Sequence, residues 1–142
     1  MSYLNIQKHP QRCKQIVNTK EFAADLKNRN LPAYAFYIPN IKNDGHDTGV
    51  AYADKWYRRT FKSFIENTEL TERTLLVSTF DESKDDKTLH IYTSLYGPMI
   101  KPGTYAERYN LVSLLKLVEE NWDLGHLGSN DEGAPLIKNI WK

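Results

Sequence analysis

The stretch that most constrains this chain is Thr74-Leu75-Leu76-Val77-Ser78-Thr79-Phe80-Asp81-Glu82-Ser83. Residues 74–80 are apolar or β-branched and show no 3.6-residue rhythm, which is the pattern of a buried strand. That strand runs directly into two adjacent carboxylates. In an open α/β sheet, ligands bind beyond the carboxyl ends of the strands, so Asp81 and Glu82 stand where chemistry is usually placed. Two neighbouring acids repel each other and keep their charge most readily when a cation or good hydrogen-bond donors face them. The pair therefore suits a hard metal ion or a phosphate site. The plain alternative is a polar loop that opens on two solvated acids.

The elements on either side fit an α/β layer. Thr19 is a fitting N-cap for a helix over Lys20–Asn28, with Phe22, Ala23 and Leu26 on one face. After Leu31-Pro32, the run Ala33-Tyr34-Ala35-Phe36-Tyr37-Ile38 is short, aromatic and β-prone, and Pro39 ends it. Its following loop carries Asn40, Asn43, Asp44, His46 and Asp47. A His flanked by Asp can be oriented and charged by its neighbour, as anion binding or proton transfer requires. The same residues can also form a turn held by local backbone bonds, with Asp47 or Thr48 capping the next helix. That helix is set by Val50, Ala53, Tyr57, Phe61, Phe64 and Ile65 across Gly49–Asn67. A charged turn at Ser83–Lys87 leads to a strand over Leu89–Tyr96, and so short a connection predicts antiparallel pairing with the first strand. His90 is placed either to turn towards Asp81 and Glu82 or simply to end its strand. A last helix over Leu111–Asn121 has Leu111, Leu114, Leu115 and Val118 on its core face and closes on Gly125 and Gly128. The tail from Ser129 offers Trp141 as an anchor and little else.

Composition narrows the function classes. The chain has 142 residues, one domain's worth, with 19 basic and 18 acidic side chains and a net charge of +1, so nothing marks a nucleic-acid or acidic-membrane partner. Its apolar runs fall short of a membrane span, and the first residues lack the basic and apolar regions of a signal peptide. Cys13 alone neither staples a fold nor forms a zinc site. Cytosolic residence is the default for such a chain unless it is part of something longer.

Several stretches resemble the phosphoesterase family, which holds acid phosphatases and phosphate-releasing C-type phospholipases, with the fungal acid phosphatases nearest. They are Tyr37-Ile38-Pro39-Asn40, Asn43-Asp44-Gly45-His46-Asp47-Thr48, Thr79-Phe80-Asp81-Glu82-Ser83, Ile91-Tyr92-Thr93, Pro102-Gly103-Thr104, Ser113-Leu114-Leu115 and Leu124-Gly125-His126-Leu127-Gly128-Ser129-Asn130-Asp131. His9-Pro10-Gln11-Arg12-Cys13 fits as well. The match runs in order from about residue 5 to residue 131. The resemblance implies an α/β/α sandwich of the alkaline-phosphatase type with a mixed sheet, of which residues 1–142 form a single domain like the C-terminal half. It implies hydrolysis of phosphate esters, with Asp81 and Glu82 as ligands of a divalent metal ion and His46 contacting the phosphoryl group. Asp47 and His90 are accessory candidates.

Two departures from the family pattern stand out. The half of the family domain with a Glu-Asn metal motif and a Ser or Thr nucleophile is not among these residues, which suggests a fragment or truncated paralogue completed by a missing N-terminal half or a partner chain. Leu111 stands where relatives usually carry a His. Relatives are usually secreted, although no signal peptide is seen here. A second reading is a non-catalytic remnant that binds a phosphorylated ligand or a partner chain. The sheet is expected to have three or more strands, with those holding Phe36 and Val77 parallel, because a helix of crossover length joins them. Parallel strands would bring His46 to the same sheet edge as Asp81 and Glu82.

Overall fold

The computed structural model describes residues 3–83 and 87–142. It divides into two compact units, Met1–Leu70 and Thr71–Lys142. The charged turn expected at Ser83–Lys87 lies for the most part outside the described residues.

The first unit is helical. Two single-turn helices, α1 (Leu4–Gln7) and α2 (Pro10–Cys13), precede α3 (Thr19–Asn28) and α4 (Val50–Ile65). The cap of α3 is Asn18 rather than Thr19. Its side-chain oxygen accepts the Lys20 N–H at 2.9 Å, satisfying one of the helix's orphan donors. The helix ends at Arg29, whose φ of 55° stops propagation. On α4 the buried stripe is Trp56, Phe61 and Phe64, while Val50 is 84% exposed. The expected stripe was thus off at its first turn and omitted Trp56. The partner decides which face is covered, and here the partner is aromatic. Phe61 lies 5.7 Å from Phe22, 5.5 Å from Tyr37, 6.0 Å from Trp56 and 4.7 Å from Tyr57, centroid to centroid. Burial among these rings pushes the Tyr37 phenol above its ordinary pKa. The basic side of α4 is a solvated surface, where Arg58 and Lys62 pair with Asp54 and Glu66 one turn away.

The run Ala33–Ile38 forms no strand. Phe36 and Ile38 are 75% and 70% exposed, and Tyr37 alone turns into the ring cluster. A β-prone run becomes a strand only when a neighbour accepts its backbone hydrogen bonds, and this unit has no other strand among its described residues. The predicted parallel pairing of the Phe36 and Val77 segments is therefore corrected.

A short helix, α5 (Thr68–Thr71), leads along the chain into the second unit, which holds β1 (Leu76–Thr79), β2 (Thr93–Tyr96) and α6 (Leu111–Trp122). The protein is α/β. Its sheet among the described residues is two-stranded and antiparallel, with Leu76 opposite Tyr96 and Thr79 opposite Thr93, rather than mixed with three or more strands. The hairpin pairing is as expected. The burial of β1 is not, since Leu76 and Ser78 are half-buried while Val77 and Thr79 are exposed. That alternation belongs to an antiparallel pair covered on one face. Helix α6 starts at a capping box: Asn110 Oδ1 accepts the Ser113 N–H at 3.0 Å and Ser113 Oγ accepts the Asn110 N–H at 3.3 Å. It ends at Asp123 with a φ of 50°, ahead of the glycines at 125 and 128.

The core of this unit lies in the segment that looked uninformative. Ala134, Ile137 and Ile140 are its buried apolar residues among those described. The tail is tied to residues 99–101 by a bridge between Ile100 and Trp141, by Lys101 N–H to the Ile140 carbonyl at 2.8 Å and by Lys142 N–H to the Met99 carbonyl at 2.9 Å. Trp141 does anchor it, donating from Nε1 to the Ile137 carbonyl at 2.9 Å.

Candidate functional site

The loop after Ile38 is built by its own polar side chains. Asn40 Oδ1 accepts the N–H groups of Lys42 and Asn43 at 3.2 and 3.0 Å, an Asx turn that reverses the chain. Asp44 Oδ1 then accepts the His46 N–H at 2.9 Å, and Thr48 Oγ1 donates to the Lys42 carbonyl at 2.6 Å. Gly45 has a φ of 96°, and a Cβ there would stand 3.2 Å from the Ala53 Cβ, so the position favours glycine on two counts. Neither Asp47 nor Thr48 caps α4, whose N-cap is Gly49. Asp47 instead faces His46, with Oδ1 2.9 Å from the imidazole Nδ1 on an exposed surface. A carboxylate at Nδ1 fixes the ring's orientation and stabilises its charged form. The first unit thus holds both the local backbone bonds of a polar turn and a His–Asp pair.

Asp81 and Glu82 lie in the second unit, on an exposed bend at the start of the loop that connects β1 to β2. The last rungs are well made: Thr79 Oγ1 lies 2.7 Å from Thr93 Oγ1, the Phe80 N–H donates to the Tyr92 carbonyl at 3.4 Å, and the two rings meet edge-on at 6.5 Å. The ladder then stops, and the two acids project beyond it. His90 is exposed on the other arm of the same hairpin, before β2 begins. Among the described residues, no group of three His, Cys, Asp or Glu side chains is gathered for a metal ion. The donors at Asp81 and Glu82 are hard carboxylate oxygens, which suit a hard divalent cation.

The least expected polar feature is a buried carboxyl pair. Glu119 on α6 and Asp131 on the following loop are 7% and 1% exposed. Asp131 accepts the Leu127 N–H at one oxygen and the Ser129 N–H at the other, the latter at 2.8 Å. These backbone donors, Leu127 foremost, hold its pKa below the usual carboxylate value. Burial, and then the charge and hydrogen bond of Asp131, push Glu119 up. Helical spacing gives no signal for this, because Leu115 and Trp122, which would share a face with Glu119, are exposed.

Comparisons with known proteins agree with the motif series. The chain is 36% identical over 144 residues to a probable acid phosphatase of Kluyveromyces lactis, covering 96% of this chain and 34% of that protein. An acid phosphatase of Aspergillus niger is 36% identical over 139 residues, 92% of this chain and 33% of that one. A phosphatidylinositol-3-phosphatase of Mycobacterium tuberculosis is 36% identical over 123 residues, 84% of this chain and 40% of that one. The chain thus spans about a third of the length of the first of these relatives. No solved structure matches it. The model of the Phosphoesterase family matches residues 3–125, most of the sequence, and the chain belongs to that family.

Proposed function

We propose that this chain is part of a phosphate ester hydrolase of the acid phosphatase kind, corresponding to the C-terminal half of an alkaline-phosphatase-like α/β/α domain. The observation that carries the proposal is the exposed acid pair at the end of β1 in a chain of this family. In this reading Asp81 and Glu82 supply carboxylate oxygens to a divalent cation. Such an ion, when bound, neutralises phosphate oxygens and makes a hydroxyl a stronger nucleophile at moderate pH. By resemblance to the family, His46, oriented by Asp47 at 2.9 Å, is given the role of contacting a phosphoryl group and stabilising negative charge as an ester bond breaks. His90 and Asp47 are accessory to these groups. A non-catalytic remnant that holds a phosphorylated ligand is the competing reading, and it predicts binding without turnover.

Calorimetry tests the acid pair. Titration with Mg²⁺, Mn²⁺ or Zn²⁺ should give binding heat with the wild-type protein. Asp81→Asn combined with Glu82→Gln should weaken that binding by at least about tenfold, as expected when ligand charge is removed. Binding unchanged by both substitutions would show that the pair is only a solvated turn.

A further inference from the structure

We propose that residues 35–38 are a ready-made docking edge, onto which an apolar β-strand from the rest of a phosphatase domain adds. The inference rests on the reading of this chain as one part of such a domain. It starts from the geometry of the first unit. Residues 35–39 form no helix, turn or bend, and their side chains alternate as along a strand. Phe36 and Ile38 are exposed, while Tyr37 and Pro39 are half-buried. The Tyr37 ring lies 5.3 Å from Phe22, 5.5 Å from Phe61 and 5.9 Å from Trp56. It pins the segment to the aromatic cluster and leaves Phe36 and Ile38 on the outer side.

The backbone is as open as these two side chains. Among the described residues, Phe36, Tyr37 and Ile38 make no hydrogen bond to other backbone groups. Donors and acceptors in a row beside bare apolar side chains are the chemistry of an unpaired sheet edge. What covers it must bring backbone partners in an extended row and apolar side chains for Phe36 and Ile38. A β-strand brings both. Because Tyr37 already fixes the segment, little ordering is left to oppose the docking.

The source of the strand follows from length. The chain spans 34% of the Kluyveromyces lactis relative, so most of that polypeptide has no counterpart among these residues. A second copy of this chain fits the edge less well. Residues 33 and 34 bend and Pro39 lacks an N–H, so the edge is short. Two such short edges form only a two-stranded pair, which is marginal in water. A strand from the rest of the domain arrives with the packing of its own layer.

Amide exchange on the intact chain tests the docking, alone and with the part of the Kluyveromyces lactis protein that lies outside the matched region. That part should slow exchange within Phe36–Ile38 by at least about tenfold. Phe36→Lys combined with Ile38→Lys should abolish the slowing while leaving the free chain's circular dichroism unchanged, since both side chains are exposed. Absence of association, or association that leaves these amides unprotected, overturns the docking edge. Protection that grows with the concentration of the chain alone assigns the edge to a second copy and overturns it too. If the relative's part is insoluble by itself, a chimera carrying this chain in place of the matched region decides: slowed exchange supports the edge, and exchange as fast as in the free chain overturns it. Phosphate release from p-nitrophenyl phosphate in the same samples separates the two readings. Protection without release supports the docking and counts against the hydrolase, and release without protection does the reverse.

Discussion

Phe61→Ala should destabilise the first unit by about 3–5 kcal/mol, the range for truncating a buried aromatic. Phe61 meets Phe22, Tyr37, Trp56 and Tyr57, so truncation empties the middle of the cluster rather than its edge. Phe22 comes from α3 and the others from α4 or the Tyr37 segment, so no single element can collapse into the gap. Phe61→Leu should cost less, since most of the volume is kept and the cavity is smaller. Urea unfolding followed by tryptophan fluorescence measures both, because Trp56 stands edge-on to Phe61. Water reaching Tyr37 in Phe61→Ala should also bring its phenol back towards the ordinary value of 10.0. A loss under about 1 kcal/mol would show that the rings are not this unit's core.

Ile140→Ala should cost the second unit about 2–5 kcal/mol. Ile140 is among the most buried apolar side chains of the protein, while its carbonyl accepts the Lys101 N–H. The substitution leaves that backbone bond possible, so the loss is one of packing. It should appear as a lower urea midpoint with an unchanged slope, and as an altered signal from Trp141 next to it. A midpoint within about 0.5 kcal/mol of wild type would place the tail outside the core.

How much of this was legible depended on how local each cause was. Helices α3, α4 and α6 follow from periodicity, and the β1–β2 hairpin follows from two β-prone runs with a short connection. These signals lie within a few residues of one another. The Ala33–Ile38 segment has the same composition as a strand, but strand formation depends on a neighbour that residue patterns cannot supply. Trp56 replaced Val50 on the buried face of α4 because Phe22 and Tyr37, distant in sequence, select that face. The tail after Ser129 has sparse apolar residues, and its backbone ties to residues 99–101, distant in sequence, accompany the burial of Ile137 and Ile140. At the candidate site, the His46–Asp47 pair and the exposed acids after β1 were readable because each is made by adjacent residues. Glu119 and Asp131 were not, since burial, which residue spacing does not supply, is what sets them apart.

The central claim is that the acids after β1 serve the hydrolysis of a phosphate ester, and phosphate release from p-nitrophenyl phosphate in the presence of a divalent cation tests it most directly. The expected result is cation-dependent release, by the chain supplied together with the N-terminal half of a family member, that falls about a hundredfold or more in Asp81→Ala while the helical circular dichroism is unchanged. An assembled pair that releases no phosphate, or release that Asp81→Ala leaves intact, would contradict it.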